Sequence, residues 1–198
     1  MTVFTLKKAA RLEETIKRSR FLALAEPVRT PEEAMAFIQT NSVPDATHNC
    51  WAYQIGDAYR FSDDGEPAGT AGRPILQAIQ GQQCDQVVVL VIRWFGGVKL
   101  GTGGLVRAYG GCAAECLRRA DKIEIIEELA VRCWCPFSEM ALVQSRFTPL
   151  QIRVINEAFD AQGVQWELRM PVAVYDEFME QFMNQTRGQG QCEVLQND

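Results

Sequence analysis

Glycine placement constrains this chain more than any other feature, because 12 of its 15 glycines fall between Gly56 and Gly111. Most of those 12 lie in two stretches, RFSDDGEPAGTAGR at residues 60–73 and RWFGGVKLGTGGLVRAY at residues 93–109. Glycine is used where the backbone takes positive φ or passes close to another group. The sequence therefore predicts two tight loops that approach a ligand or another chain segment.

Cationic side chains flank these glycines. Residues 93–119 contain five basic residues but only one acidic residue, Glu115. Loop N–H groups, a helix N-terminus and nearby cations together favour anion binding. One alternative stays open, in which both loops are buried crossings of chain segments with a purely structural role. The favoured interpretation is a phosphate-binding or nucleic-acid-binding site, made by Arg73, Arg93, Gly96, Gly97, Lys99, Gly101, Gly103 and Arg107.

The overall charge limits how far such a site extends. The chain has 198 residues, a net charge of −5 and a pI near 5.1, which argues against a general nucleic-acid binder. A polyanion site would be a local patch on an acidic protein. The length and the 47% hydrophobic content fit one large domain or two small ones.

Neither a membrane span nor a signal sequence is predicted. The longest aliphatic run, Val87 to Ile92, is far too short to cross a bilayer, and the charged N-terminus lacks an apolar core. The seven cysteines are scattered among apolar neighbours. We expect them to form no disulfide and to bind no zinc, as in a reduced, cytoplasmic protein.

The first part of the chain reads as mixed strands and helices. Thr30-Pro31-Glu32-Glu33 predicts a helix start followed by a helix to about Thr40. Residues 86–95 are almost all β-branched or aromatic, which predicts a central strand buried on both faces. Strands are also predicted within residues 13–25 and 47–61, and helices from Pro74 and from a cap at Thr102 to Ala120.

The second part has the order β-α-β-β-α-β, which is typical of the ferredoxin-like fold. Its first strand is predicted over residues 122–135. A hinge is predicted near residues 121–129, where the two parts share or exchange a strand. The expected class is α+β, with domains at residues 1–127 and 128–198.

Known nucleotide-binding motifs are absent. At P-loop spacing Gly96 is followed by Gly101 but not by lysine, and the dinucleotide fingerprint fails because Val106 stands where glycine is required. The pattern still predicts a strand, then a glycine-rich loop, then a helix N-terminus with free N–H groups.

Two clusters carry reactive groups. Asp63, Asp64 and Glu66 are weak candidates for a Mg²⁺ site or an acid–base pair. The favoured interpretation is a turn whose aspartates accept backbone N–H bonds, with Gly65 at positive φ. A pairing of the turn with Arg73 or Arg93, which would fix the two loops against each other, is a further structural option. His48 and Cys50 share one strand face, but no acyl-transfer context surrounds them. We predict no catalytic residue, metal or cofactor.

The residues from Ala46 to Tyr109, with ATHNCWAY, RFSDDGEPAGTAGRPIL and RWFGGVKLGTGGLVRAY, closely resemble the IMPACT (YigZ-like) family. The resemblance covers roughly the first 120 residues and is looser beyond them. It implies a first domain like domain IV of elongation factor G, a fold shared with a small-subunit ribosomal protein and the ribonuclease P protein. It also implies a ferredoxin-like second domain, similar to domain V of that factor.

The resemblance also implies a role in translational control. Eukaryotic members carry an extra N-terminal interaction domain and restrain a kinase that phosphorylates an initiation factor. The chain begins close to the shared domain, so it is expected to be of the compact bacterial type.

We therefore expect a non-enzymatic, monomeric RNA- or ribosome-binding protein in translation regulation. Two alternatives stay open: an enzyme or binder acting on a small phosphorylated metabolite, and a purely protein-binding regulator. Salt discriminates among them, because binding to a phosphate backbone weakens steeply with ionic strength.

Overall fold

The computed structural model of the chain describes residues 2–195. It shows a mixed α+β protein that divides into two compact units between Ile125 and Ile126. Within the described residues, no helix is both long enough and apolar enough to cross a membrane.

In chain order the elements of the first unit are β1 (Phe4–Leu6), β2 (Ala10–Ile16), β3 (Ser19–Pro27), α1 (Pro31–Asn41), β4 (His48–Ile55), β5 (Ala58–Ser62), α2 (Gly72–Gly81), β6 (Val87–Trp94), α3 (Thr102–Arg119) and β7 (Lys122–Glu124). Its main sheet has five antiparallel strands in the order β2-β3-β6-β4-β5, and β1 pairs with β7 in a second, small sheet.

Strand β6 is central and buried on both faces, as predicted. Val89 and Val91 pack in the core that α2 and α3 cover, whereas Val88 packs with Ala34 and Ile38 of α1 on the other face. Two covered faces require apolar residues at successive positions rather than at alternate ones. This requirement explains the run of β-branched residues in the sequence.

Helix α1 begins where its sequence predicts. The Thr30 side chain accepts a hydrogen bond from the Glu33 N–H at 3.2 Å, and the Glu33 carboxylate accepts one from the Arg29 N–H at 2.7 Å. These bonds satisfy two donors near the helix start that would otherwise lack partners.

Helix α3 begins differently from the prediction. Gly101 occupies the capping position with φ of 73°, and Thr102 is the first helical residue. The capping prediction for Thr102 is wrong because the loop reaches the helix in a left-handed conformation, which glycine adopts without steric cost.

The elements of the second unit are β8 (Glu128–Pro136), α4 (Phe137–Gln144), β9 (Arg153–Phe159), β10 (Gly163–Pro171), a 3₁₀ turn (Val172–Val174), α5 (Tyr175–Gln185) and β11 (Gln191–Leu195). The strands form an antiparallel sheet of order β11-β8-β10-β9. Trp166 and Leu168 of the sheet are buried with Phe178 and Phe182 of α5.

The single strand predicted over residues 122–135 is wrong. β7 pairs with β1 in the first unit, whereas β8 pairs with β10 and β11 in the second, so no strand is shared. Apolar residues continue through Ile125 and Ile126, so the sequence pattern does not indicate that one strand ends before them and another begins after them.

The prediction that no disulfide forms is also wrong. Cys133 and Cys192 are bonded, with their Cα atoms 4.2 Å apart. The register of β11 against β8 places them directly opposite each other, although 59 residues separate them in the sequence. Disulfides are rare in reducing compartments, so the cysteines no longer support the prediction of a cytoplasmic location.

Candidate functional site

One end of the large sheet brings the two glycine-rich stretches together. Glu66, from the first stretch, accepts a hydrogen bond from the Arg93 guanidinium at the end of β6, with the two atoms 2.6 Å apart. Of the two pairings that the sequence allowed for the acidic turn, with Arg73 or with Arg93, the structure shows the one with Arg93.

Arg93 and Glu66 belong to a buried polar network. The same Glu66 oxygen accepts a bond from the Tyr109 hydroxyl at 2.7 Å, and Arg93 also donates to the Ser19 hydroxyl at 3.4 Å. Burial, and then the neighbouring Cys50 and Glu66, raise the pKa of Tyr109. The hydroxyl therefore keeps its proton and acts as a hydrogen-bond donor. The network joins β6, the acidic turn and α3 inside the protein.

The predicted phosphate ligand Arg93 is thus only 5% exposed and already neutralised by Glu66. A phosphate arriving from solvent cannot reach its guanidinium without breaking that pair. We therefore leave Arg93 out of the candidate surface. The sequence did not indicate this neutralisation because Glu66, the partner of Arg93, lies 27 residues earlier in the chain.

The aspartates of the acidic turn accept backbone N–H bonds, as the sequence favoured. The Asp63 carboxylate accepts N–H bonds from Gly69, Ala71 and Gly72 at 2.8–3.0 Å. Asp64 accepts the Asn49 N–H. Gly65 has a φ of +82°, as expected for this turn. Among residues 2–195 no group of three acidic, His or Cys side chains is placed to hold a metal ion.

His48 and Cys50 do not form a nucleophile pair. Nδ1 of His48 lies 2.7 Å from the Asp64 carbonyl oxygen, so this nitrogen is the donor, and the Cys50 thiol donates to the Asp63 carbonyl at 3.0 Å. Burial raises the pKa of the Cys50 thiol to about 12. The reactive thiolate is therefore scarce at neutral pH, which argues against nucleophilic catalysis.

The glycine loop, residues 95–101, connects β6 to α3. Gly97 has a φ of +84° and Gly101 one of +73°, both in the left-handed region that favours glycine. Gly96 has a different role, because a Cβ there would overlap the carbonyl group of Arg18. Lys99 is exposed in the middle of this loop.

The N-terminus of α3 adjoins the loop. Gly101 offers no side-chain acceptor, so the first-turn N–H groups of α3 have no side-chain cap. The guanidinium of Arg107 reaches back over this turn, 3.6 Å from the position a Cβ would occupy on Gly103. An exposed cation and a positive helix end therefore meet at one place.

The sequence interpretation missed two further cations, Lys17 and Arg18. They form the turn between β2 and β3, and the contact of the Arg18 carbonyl with Gly96 sets this turn against the glycine loop. Both residues are exposed and have positive φ, 45° and 70°. The run Lys17-Arg18-Ser19-Arg20 was a signal for them, but its position beside residue 96 depends on tertiary packing.

Arg73 is exposed in α2 and lines a groove of about 300 Å³ with Tyr59, Phe61, Leu76, Gln77 and Gln80. None of the predicted loop residues lines that groove. The cationic surface is therefore defined as Lys17, Arg18, Lys99 and Arg107, together with Gly96, Gly97, Gly101 and Gly103.

The four cations of the cationic surface are free of ion pairs with carboxylates among residues 2–195. Arg118 and Arg119 at the other end of α3 are different, because both bind Glu115 at 2.6 Å. The arrangement leaves positive charge available to a ligand at one end of α3 only.

Two protein-family models match this chain, one in each unit. A family model described as the Impact N-terminal domain matches residues 17–117, which include every residue of the cationic surface. A second model, Domain of unknown function (DUF1949), matches residues 133–189 in the second unit.

Individual relatives extend the match along the chain. An IMPACT family member in the pol 5′ region of Thermus thermophilus is 53% identical over 156 residues, covering 79% of this chain and 86% of the relative. The IMPACT family member YigZ of Escherichia coli is 34% identical, covering 88% of this chain and 89% of the relative. A crystal structure of a hypothetical protein, 30% identical, superposes with a TM-score of 0.66 and covers 100% of this chain and 98% of that one. The chain belongs to the IMPACT family.

Proposed function

We propose that this protein is a non-enzymatic RNA- or ribosome-binding protein that acts in translation regulation through the cationic surface. The observation that carries the proposal is a set of four exposed cations without acidic partners among residues 2–195. Lys99 and Arg107 lie in the glycine loop and near the uncapped N-terminus of α3, and Lys17 and Arg18 lie in the turn that contacts Gly96 of that loop. Phosphate groups are the ligands that such a combination favours.

The charge of the whole chain makes this surface a specific feature. The net charge is −5, so the long-range field repels a polyanion except where cations are concentrated. Each phosphate neutralised by Lys or Arg releases counterions, and this release drives nucleic-acid binding. A local surface of four cations supports contact with a few phosphates, with a strong dependence on salt.

The family resemblance supports the translational context. We propose a first unit like domain IV of elongation factor G and a ferredoxin-like second unit. The antiparallel order β11-β8-β10-β9, in a β-α-β-β-α-β unit, supports the latter assignment. Both folds in a translation factor are consistent with a partner made of RNA, which matches the chemistry of the cationic surface.

The test is an RNA titration of the double variant Lys99→Ala/Arg107→Ala by fluorescence anisotropy at low salt. A matched control is Arg118→Ala/Arg119→Ala, which removes the same charge from the chain but takes both cations from the Glu115 pairs. We expect the first variant to bind RNA more weakly than wild type and the control to bind nearly as well.

Equal loss in both variants would indicate an effect of overall charge rather than of this surface. Wild-type affinity in Lys99→Ala/Arg107→Ala, with folding intact by thermal melt, would refute the proposal.

A further inference from the structure

Phe95, the first residue of the glycine loop, is an aromatic side chain held in a fixed position at the surface. It is 47% exposed, and its backbone N–H donates to the Thr47 hydroxyl at 2.9 Å. The Arg93 guanidinium carbon lies 5.5 Å from the centroid of its ring. A backbone hydrogen bond therefore holds the chain at Phe95, and a buried cation lies within cation–π range of its ring.

This arrangement leaves about half of the Phe95 residue open to a ligand. Arg93 is buried, so its guanidinium approaches the Phe95 ring from inside the protein. A cation within about 6 Å of an aromatic centroid attracts the ring. The ring is thus preorganised, and a planar partner stacking on it loses little additional side-chain entropy.

The surroundings of Phe95 suit an unpaired base. Val98 in the same loop is 38% exposed, so the loop presents apolar surface beside the charge of Lys99. Single-stranded nucleic acids are bound by aromatic rings that stack bases and by cations that contact the backbone. Aromatic and cationic groups lie within the seven residues of one loop here.

We propose that Phe95 is the stacking platform for an unpaired base of single-stranded RNA, whose phosphates bind the cationic surface. This inference rests on the proposed function and specifies its ligand. Bases inside a duplex are already stacked on their neighbours and present only their edges. They offer no free base face on which the Phe95 ring could stack. The protein should therefore bind single strands in preference to duplexes.

The experiment titrates the full chain with labelled single-stranded oligouridine RNA and with a blunt RNA duplex, at low salt. Phe95→Ala should weaken single-strand binding by about 5- to 150-fold, the range for loss of one stacked base. It should leave duplex binding nearly unchanged. Phe95→Tyr keeps an aromatic ring and should bind single strands like wild type. Val98→Ala, which removes apolar surface from the same loop without removing a ring, should weaken single-strand binding much less than Phe95→Ala does.

The results distinguish failure of the Phe95 stacking site from failure of the proposed RNA-binding function. Unchanged single-strand binding in Phe95→Ala, or equal loss for single strand and duplex, overturns the stacking site. If Lys99→Ala/Arg107→Ala is weakened while Phe95→Ala is not, the proposed function stands without the stacking site. If the wild-type protein binds neither RNA, both proposals fail. A thermal melt of each variant confirms that the fold is intact.

Discussion

The buried pair of Glu66 and Arg93 shows how single residues hold the two glycine-rich stretches together. The two side chains are 4% and 6% exposed, and Tyr109 binds the same carboxylate oxygen. Taking both charges out of water costs several kcal/mol, which only mutual attraction and further hydrogen bonds offset. The pair therefore fixes the position of the turn against β6 more than it adds net stability.

Breaking this pair by removing one partner should be costly. Glu66→Ala leaves the Arg93 charge buried and uncompensated, so we expect the free energy of unfolding to fall by about 3–5 kcal/mol. Urea denaturation measures the loss. Lys99→Ala, an exposed loop position, should stay within about 0.5 kcal/mol of wild type. A Glu66→Ala protein as stable as that control would contradict the role assigned to the pair.

At the scale of elements, the turn between β2 and β3 has residues that its backbone conformation does not favour. Its two central residues, Lys17 and Arg18, both have positive φ, although Asn-Gly is the favoured pair in such a two-residue turn. Left-handed backbone costs roughly 1–2 kcal/mol for a residue with a Cβ. Two strained cations beside the glycine loop are explained if their charge is required there.

Replacing the turn separates its two roles. Lys17→Asn/Arg18→Gly relieves the strain and removes two cations, so we expect stability to rise by about 1–2 kcal/mol. RNA affinity should fall in the same variant. Thermal unfolding and an anisotropy titration give the two readings. Lower stability together with unaltered RNA affinity would remove the turn from the proposed surface.

The sequence predicted elements where local chemistry decides them. The cap at Thr30 and the two-sided burial of β6 follow from short patterns, and both are confirmed. The break after β7, the opposition of Cys133 and Cys192, and the burial of Arg93 depend on partners distant in the chain. The glycine loop was located correctly, but its neighbour Arg18 was found only through its contact with Gly96.

At the scale of the whole molecule, the disulfide between Cys133 and Cys192 cross-links two strands of the second unit. It connects edge strand β11 to β8, and the other five cysteines are free and buried. Cross-linking distant residues stabilises a fold mainly by restricting the unfolded chain. Reduction of the disulfide should therefore lower the stability of the second unit.

Alkylation under denaturing, non-reducing conditions should label five cysteines rather than seven. Reductant should lower the stability of the wild-type protein by about 2–4 kcal/mol. It should have little effect on Cys192→Ala, in which the bond is already absent. Labelling of all seven cysteines by mass spectrometry would show that the bond does not form.

The central claim is that phosphates bind the cationic surface, and the salt dependence of RNA affinity tests it most directly. For single-stranded RNA the logarithm of the binding constant should fall linearly with the logarithm of salt concentration, with a slope of about −0.7 for each phosphate contact. Lys99→Ala/Arg107→Ala should flatten that slope by about 1.4 if each cation contacts one phosphate. A slope near zero for the wild-type protein, or the same slope in the variant, would contradict the account.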